Sequence, residues 1–267
     1  MFIKRIIHRT AVAAAVLGSL SGAAHADDLL AAVKNRGEIT IAMEGTYPPF
    51  DSRDAKGELV GYDVDVAKAV AKKLGVKPVF ITTEWSGILA GLQAGKFDVI
   101  VNQVTINAAR EAVLDFSIPY TYSTAQVIQR KDDSRQFKSM NDLKGLKVGV
   151  VLGSNFQQLA AGTPGIDVRT YPGAAEAFSD VASGRIDAAL NDSLTINYLM
   201  HTSTLPLRAG GSVGDTNKMG IPYRKGNPEL GKALSQAILS LQKDGTLKTI
   251  STKWFGADVS TPPAGHE

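Results

Sequence analysis

Cysteine is absent from the 267 residues of this chain. Its absence excludes disulfide bonds, thiolate zinc sites, cysteine nucleophiles and a lipid-modified N-terminal cysteine. Histidine is also scarce: His8 and His25 lie near the N-terminus, and His201 and His266 are far apart in the sequence. The sequence therefore predicts neither a histidine-rich metal site nor a bound cofactor.

The excess of positive charge is confined to the N-terminus. The formal net charge is +3, and the first 26 residues contain Lys4, Arg5 and Arg9 but no acidic side chain. Without those three, the 29 basic side chains fall to 26, which equals the number of acidic ones. A neutral protein has no broad attraction for nucleic acid or anionic lipid. We therefore expect no nucleic-acid partner.

Residues 1–26 have the three parts of a secretory signal peptide. A basic start is followed by an apolar run at 11–20, and Ala24-His25-Ala26 places small residues before a cleavage site at Asp27. The run is shorter than the roughly 20 apolar residues that span a bilayer, and no later segment is long and apolar enough to do so. We expect a periplasmic protein that is not a lipoprotein and does not insert into the membrane.

After the leader, short β-type runs alternate with amphipathic helices, which predicts an α/β fold with mainly parallel sheets. Strands are predicted at 38–43, 79–82, 99–101, 147–151 and 188–191. Helices are predicted at 64–74, 88–94, 174–182, 227–243 and 246–254. Ser154 is the predicted N-cap of a further helix, and Asn227 and Pro228 are the predicted N-cap and N1 residues of the helix at 227–243.

Five motifs follow one another along nearly the whole chain after the leader. They are Gly-Thr-Tyr-Pro-Pro-Phe at 45–50, Gly-Tyr-Asp-Val-Asp-Val-Ala at 61–67, Asn-Gln-Val-Thr-Ile at 102–106, Leu-Gly-Ser-Asn-Phe at 152–156 and Lys-Trp-Phe-Gly-Ala-Asp-Val at 253–259. Together with Arg110 they resemble the bacterial extracellular solute-binding proteins of family 3, the polar amino-acid receptors of ABC importers. The third and fifth motifs resemble the cystine-binding members.

This resemblance implies a two-lobed periplasmic-binding-protein type II fold, with a two-stranded hinge and a ligand cleft between the lobes. Lobe 1 would comprise 27–121 and 221–258, lobe 2 would comprise 122–220, and 259–267 would be a flexible tail. The function implied is binding of L-cystine or another polar amino acid and its delivery to an inner-membrane ABC permease. A ligand that touches both walls stabilises the closed state. We expect a monomer.

A free amino acid carries a carboxylate and an ammonium group, and both need partners when they are buried. The planar guanidinium of an arginine, with backbone N–H groups, suits the carboxylate best. In the frame of the resemblance, Arg110 holds the α-carboxylate. Thr105 assists it from the same motif, and Ser154 and Asn155 assist it from the opposite wall.

The ammonium group and the side chain of the ligand have their own predicted partners. Asp192 holds the α-ammonium, although the same residue would also suit a helix N-cap. The carbonyl groups of Gln103 or Val104 could share the ammonium. Tyr47 and Trp85 enclose the ligand side chain between two aromatic walls, unless they are ordinary core aromatics.

Two assignments stay open in the sequence, and one motif departs from the family pattern. Glu44 either faces the ligand side chain or only braces the wall, and Phe156 lies either in the pocket or in the core. The segment Asn107-Ala108-Ala109 stands where the family usually has an acidic residue just before the arginine. The departure leaves the local bracing of Arg110 in question.

Two other classes of protein remain as alternatives. A few relatives with this fold are cyclohexadienyl dehydratases, which act on prephenate or arogenate, and Glu44 could serve as their acid. The motifs follow transport receptors instead, so we expect no enzyme activity. A ligand-binding protein that hands its ligand to a separate sensor is the second alternative.

Overall fold

The computed structural model describes residues 29–263, so the signal peptide predicted at 1–26 lies outside the described residues. The helices are α1 Leu29–Arg36, α2 Tyr62–Leu74, α3 Trp85–Gln93, α4 Ala108–Glu111, α5 Asn155–Ala161, α6 Ala174–Ala182, α7 Ser193–Thr202, α8 Pro228–Lys243 and α9 Thr246–Phe255. The strands are β1 Glu38–Met43, β2 Ser52–Arg53, β3 Leu59–Val60, β4 Lys77–Thr82, β5 Val99–Ile100, β6 Leu114–Phe116, β7 Thr121–Arg130, β8 Lys147–Val151, β9 Asp167–Tyr171, β10 Ala188–Asp192, β11 Leu207–Met219 and β12 Pro222–Arg224.

The first large sheet has the strand order β4-β1-β5-β12-β6. Strand β1 runs parallel to its neighbours β4 and β5, and β12 runs antiparallel to its neighbours. Helices α1, α2, α8 and α9 pack in an apolar cluster on one face of this sheet. Helix α3 packs in a second apolar cluster on the other face. Helix α2 buries Val66, Val70 and Leu74, and it ends where Gly75 takes a left-handed φ of 70°.

The second large sheet has the strand order β11-β7-β10-β8-β9. Strand β8 is parallel to β9 and β10, whereas β7 is antiparallel to β10 and β11. Helix α5 packs in one of its apolar clusters, and α6 and α7 pack in the other. Each large sheet is thus covered by helices on both faces, as expected for parallel α/β units.

The chain passes between the two sheets twice. It leaves the first sheet after β6 and enters the second at β7, and it returns between β11 and β12. The two passages lie side by side, because Thr121 pairs with Met219 and the backbone N–H of Tyr120 donates to the carbonyl of Met219 at 2.9 Å. The α/β fold with two lobes joined by two neighbouring chain segments is therefore as predicted.

Most predicted elements have the predicted bounds or nearly so. Strands β1 and β8 and helix α6 match residue for residue, and α2 begins two residues earlier than predicted. Pro228 does begin α8, yet the side chain of Asn227 caps nothing there. Its Oδ1 instead accepts from the backbone N–H of Leu29 at 2.9 Å, which ties α1 to α8.

The first two residues of the tail predicted at 259–267 are held by hydrogen bonds. The carbonyl of Val259 accepts from the backbone N–H of Tyr122 at 2.9 Å, and Ser260 is buried, with its carbonyl bonded to the Gln242 side chain. These first two residues are therefore packed. Within residues 29–263, the structure has no helix long and apolar enough to cross a membrane.

Candidate functional site

A cavity of about 230 Å³ lies between the two sheets. From the first sheet and its helices it is lined by Glu44, Thr46, Tyr47, Glu84, Trp85, Asn102 and Gln103. From the second it is lined by Val151, Ser154, Asn155, Phe156, 172–176 and Asn191. Several of these residues follow the carboxyl ends of β1, β4, β5 and β8, which is where ligands bind in open parallel sheets.

Glu44 and Asn102 form a pair on the first wall. The backbone N–H of Glu44 donates to Oδ1 of Asn102 at 2.7 Å, and Nδ2 of Asn102 donates to Oε2 of Glu44 at 2.9 Å. Burial raises the pKa of Glu44 from 4.5 to about 7, and the nearby Glu84 carboxylate raises it further, against the hydrogen bond from Asn102. Glu44 is thus a carboxyl group that gains or loses a proton near neutral pH.

Gln103 has an unusual backbone conformation, with φ of 50° in a residue that is not glycine. Its Nε2 donates to Oδ1 of Asp63 at 2.6 Å, and its backbone N–H donates to the hydroxyl of Tyr120 at 3.2 Å. The next residue, Val104, is fully buried in the core, and its carbonyl accepts from the backbone N–H of Gly220 at 3.1 Å. Gln103 lines the cavity, whereas Val104 does not, and the Val104 carbonyl already accepts one hydrogen bond.

Arg110 is buried directly behind the aromatic wall. Its guanidinium carbon lies 5.4 Å from the centroid of the Trp85 ring, and its Nη1 donates to the carbonyl of Thr105 at 2.9 Å. Nη2 is buried and has no partner among residues 29–263. Burial lowers the pKa of Arg110 to about 10. At 107–109, where the sequence departs from the family pattern, the side chain of Asn107 caps α4 by accepting from the Arg110 N–H at 3.0 Å. Asn107 thus braces the start of the helix that carries Arg110.

Asp192 lies at the end of β10 and is buried beside the cavity without lining it. Its Oδ1 accepts from the backbone N–H of Leu194 at 2.9 Å and thereby caps α7, and its Oδ2 accepts from the hydroxyl of Ser123. Burial raises its pKa from 3.8 to about 6, against these two hydrogen bonds. The N-cap function that the sequence allowed is therefore present.

The second wall is built around the start of α5. Ser154 caps the helix, because its Oγ accepts from the Gln157 N–H at 3.1 Å. Asn155 and Phe156 line the cavity, and Phe156 also belongs to the core of the second sheet, so both alternatives for this residue hold.

Seven of the eleven predicted residues line the cavity, and four do not. The lining residues are Glu44, Tyr47, Trp85, Gln103, Ser154, Asn155 and Phe156. The other four, Val104, Thr105, Arg110 and Asp192, are buried next to it.

Sequence reasoning missed part of the lining. Asn102 belongs to the motif at 102–106, and Asn191 directly precedes the predicted ligand residue Asp192. The sequence therefore gave a reason to place both residues in the site. Thr46 lay in the first motif. Nothing in the sequence indicated Glu84 or the segment 172–176, because these residues come together only when the two sheets face each other. Among residues 29–263 there is no group of three or more acidic or histidine side chains that could hold a metal ion.

Relatives of known name match almost the full length of the chain. It is 42% identical over 251 residues to the L-cystine-binding protein TcyJ of Escherichia coli strain K12, covering 93% of this chain and 94% of that protein. It is 39% identical over 235 residues to the L-cystine-binding protein TcyA of Bacillus subtilis strain 168, with 87% of each covered.

Solved structures match the fold closely. An ancestral arginine-binding protein bound to arginine has a TM-score of 0.78 at 39% identity, covering 83% of this chain and 99% of its own. The ancestral amino acid-binding protein AncCDT-1, a precursor of cyclohexadienyl dehydratase, has a TM-score of 0.78 at 36% identity, covering 85% and 99%. The family description "bacterial extracellular solute-binding proteins, family 3" matches residues 39–257, and this chain belongs to that family.

Proposed function

We propose that this chain binds a polar amino acid in the cavity and delivers it to an inner-membrane ABC permease. Arg110 carries the proposal. Its guanidinium is buried, one of its nitrogens has no partner, and no carboxylate forms an ion pair with it among residues 29–263. An unpaired buried charge is costly, and the carboxylate of an amino acid would compensate it bidentately.

L-cystine is the ligand we propose first. Two relatives that match the chain over most of its length are named for binding it. Solved neighbours carry arginine or glutamine, so another polar amino acid is the next choice. In either case the α-carboxylate lies toward Arg110 and Thr105, with Ser154 and Asn155 opposite, and Asp192 takes the α-ammonium.

The mechanism we propose is closure of two lobes on the ligand. Lobe 1 comprises 27–121 and 221–258, and lobe 2 comprises 122–220, with the two chain passages as the hinge. Because a bound amino acid contacts both walls only when they approach, it stabilises the closed state. The closed monomer, exported to the periplasm, then presents its ligand to the permease.

A thermal-shift panel on the leaderless protein, unfolded and refolded to remove bound ligand, tests the proposal. At a ligand concentration of 100 Kd we expect about 2.7 kcal/mol of stabilisation, or roughly 5–10 °C. A shift with L-cystine, and little with glutamine, histidine or arginine, supports both the class and the ligand. A shift with another amino acid keeps the class and rejects cystine. The absence of any shift rejects the proposal.

A dehydratase is the second candidate, and Glu44 is the observation that favours it. This carboxyl group lines the cavity and has a pKa of about 7, which suits a general acid at neutral pH. One structural neighbour is described as a precursor of cyclohexadienyl dehydratase, although it is itself an amino acid-binding protein. Release of phenylpyruvate from prephenate, abolished by Glu44→Gln, would establish the enzyme.

A further inference from the structure

The first chain passage between the two sheets is hydrogen-bonded to both walls of the site. On the first wall, the hydroxyl of Tyr120 accepts from the backbone N–H of Gln103, which lines the cavity, at 3.2 Å. On the second wall, the hydroxyl of Ser123 donates to Oδ2 of Asp192. Tyr120 and Ser123 are close together in the chain, so a short stretch of the hinge contacts predicted ligand residues of both walls.

Ser123 reaches the site through Asp192 and does not line the cavity itself. It is the third residue of β7 and is buried. The other oxygen of the Asp192 carboxylate, Oδ1, accepts from the backbone N–H of Leu194 at 2.9 Å. The carboxylate is therefore held by two donors, one from the start of α7 and one from the hinge strand. The hinge donor is a side chain, so a substitution can remove it.

We infer that Ser123 is a positioning residue for ligand binding, whose hydroxyl fixes the direction of the Asp192 carboxylate and stabilises its negative charge. A buried charge is costly unless hydrogen bonds compensate it. Without the Ser123 hydroxyl, Oδ2 of Asp192 would have no donor among residues 29–263. The inference rests on the proposed function, in which Asp192 takes the α-ammonium, and it adds a residue that does not touch the ligand.

The titration of Asp192 reports on this hydrogen bond. Burial raises the pKa of Asp192 to about 6, and the hydrogen bonds from Ser123 and Leu194 keep that pKa lower than burial alone would. A donor to the charged form lowers the pKa of a carboxyl group, so loss of the Ser123 hydroxyl should raise it. Because the ionised form binds an ammonium group, affinity should then begin to fall at a higher pH as the solution is acidified.

Other titratable groups lie near Asp192, and they are the same in every variant. Tyr47, which follows β1, and Asp63, in the first turn of α2, interact with its charge. Asp192 forms no ion pair among residues 29–263. Glu44 lines the same cavity and has a pKa of about 7. A difference in pH dependence between variants at position 123 therefore reports on Asp192.

Calorimetric titration of L-cystine at pH 5 and pH 7.5 into refolded Ser123→Ala and Ser123→Thr is the test. If loss of the hydroxyl raises the pKa of Asp192 by about one unit, the loss of affinity in Ser123→Ala should be about five- to tenfold larger at pH 5 than at pH 7.5. Ser123→Thr keeps a hydroxyl and should follow the unaltered protein at both pH values. In an Asp192→Asn background, Ser123→Ala should have the same effect at both, because no carboxyl group is left to titrate.

Thr124→Val is the matched control. Thr124 is the next residue of the same strand, and its hydroxyl donates to the exposed Ser212 at 3.2 Å instead of to Asp192. It should keep the pH dependence of the unaltered protein. An equal loss of affinity at both pH values in Ser123→Ala, or no loss at either, would overturn the inference, while binding of cystine keeps the proposed function. If neither cystine nor any other amino acid binds, the proposed function fails and the inference fails with it.

Discussion

The hydroxyl group of Tyr47 donates a hydrogen bond of 2.7 Å to Oδ1 of Asn191. Tyr47 follows β1 of the first sheet and Asn191 belongs to β10 of the second, so this bond spans the cavity. The same Oδ1 accepts from the backbone N–H of Asp192 at 2.7 Å. Burial raises the pKa of Tyr47, and its hydroxyl therefore stays a neutral donor. The bond ties the aromatic wall to the strand that carries Asp192.

Removing this hydrogen bond should favour the open form. We expect Tyr47→Phe to weaken ligand binding about two- to tenfold, because a hydrogen bond contributes about 0.5–1.5 kcal/mol and this one joins the two walls. Small-angle scattering should show a larger radius of gyration for the unliganded variant. Tyr198→Phe, in α7 and outside the cavity lining, is the control. Unchanged affinity and scattering would mean that the bond has no part in closure.

The fold could be predicted because its signals are local. Alternation of apolar runs defined β1 and β8, and Ser154 formed the expected N-cap because capping depends on residues only three apart. The packing of Val259 and Ser260 was not predicted, for the opposite reason. Val259 is held by a bond to Tyr122, more than a hundred residues earlier, and nothing in the local sequence indicates that contact.

The site could be predicted in its residues more than in their orientations. The motif at 102–106 identifies Val104 as a candidate but does not show whether it faces the cavity or the core. The left-handed backbone of Gln103 helps to turn the chain so that Val104 enters the core. Asp192 was expected to face the ligand, and here both its oxygens bond to Ser123 and Leu194. Such partners depend on how β7 and β10 pair, which sequence spacing does not specify.

Arg110 should matter far more for binding than for stability. We expect Arg110→Met to lower affinity at least about 100-fold, because a charge-assisted pair with a carboxylate contributes about 3 kcal/mol. Replacing an uncompensated buried charge by an apolar side chain should change the free energy of unfolding by only about 1 kcal/mol or less. Calorimetry and denaturant unfolding measure the two effects. Arg185→Met, at a side chain 75% exposed, should change neither greatly. Retained affinity in Arg110→Met would refute the assignment.

Asp192 can be tested by separating its charge from its capping function. Asparagine is also a good N-cap, so Asp192→Asn should keep α7 and change the free energy of unfolding by less than about 1 kcal/mol. If its charge holds the ligand ammonium, affinity should fall at least about tenfold. Asp192→Ala should lose the same affinity and about 1 kcal/mol of stability as well. Full affinity in the asparagine variant would mean that Asp192 only caps α7 and does not bind the ligand ammonium.

Asp63 should make the protein less stable as pH rises. Burial raises its pKa from 3.8 to about 7, although Gln103 and Tyr120 donate hydrogen bonds to it. The folded state thus holds this proton more tightly than the unfolded state. Its contribution to stability is complete below about pH 4 and is lost as pH rises through about 7.

Denaturant unfolding between pH 5 and pH 8 measures this loss. We expect Asp63→Asn to flatten the fall in the free energy of unfolding over that interval, because the amide has no proton to lose. Asp132→Asn, at a side chain 85% exposed, should keep the original slope. A slope that is the same in Asp63→Asn as in the unaltered protein would contradict the assignment.

Ligand binding should release protons from Glu44. Its pKa of about 7 leaves it partly protonated at pH 7, and the carboxylates of Glu84 and Asp51 lie close enough to interact with it. A ligand cation placed nearby favours the ionised form and lowers this pKa, so binding at pH 7 should release up to about 0.5 proton. Titration of L-cystine in buffers of different ionisation enthalpy measures that number. Glu44→Gln should remove most of this release. Proton uptake, or an unchanged release in Glu44→Gln, would show that no ligand cation lies near this carboxylate.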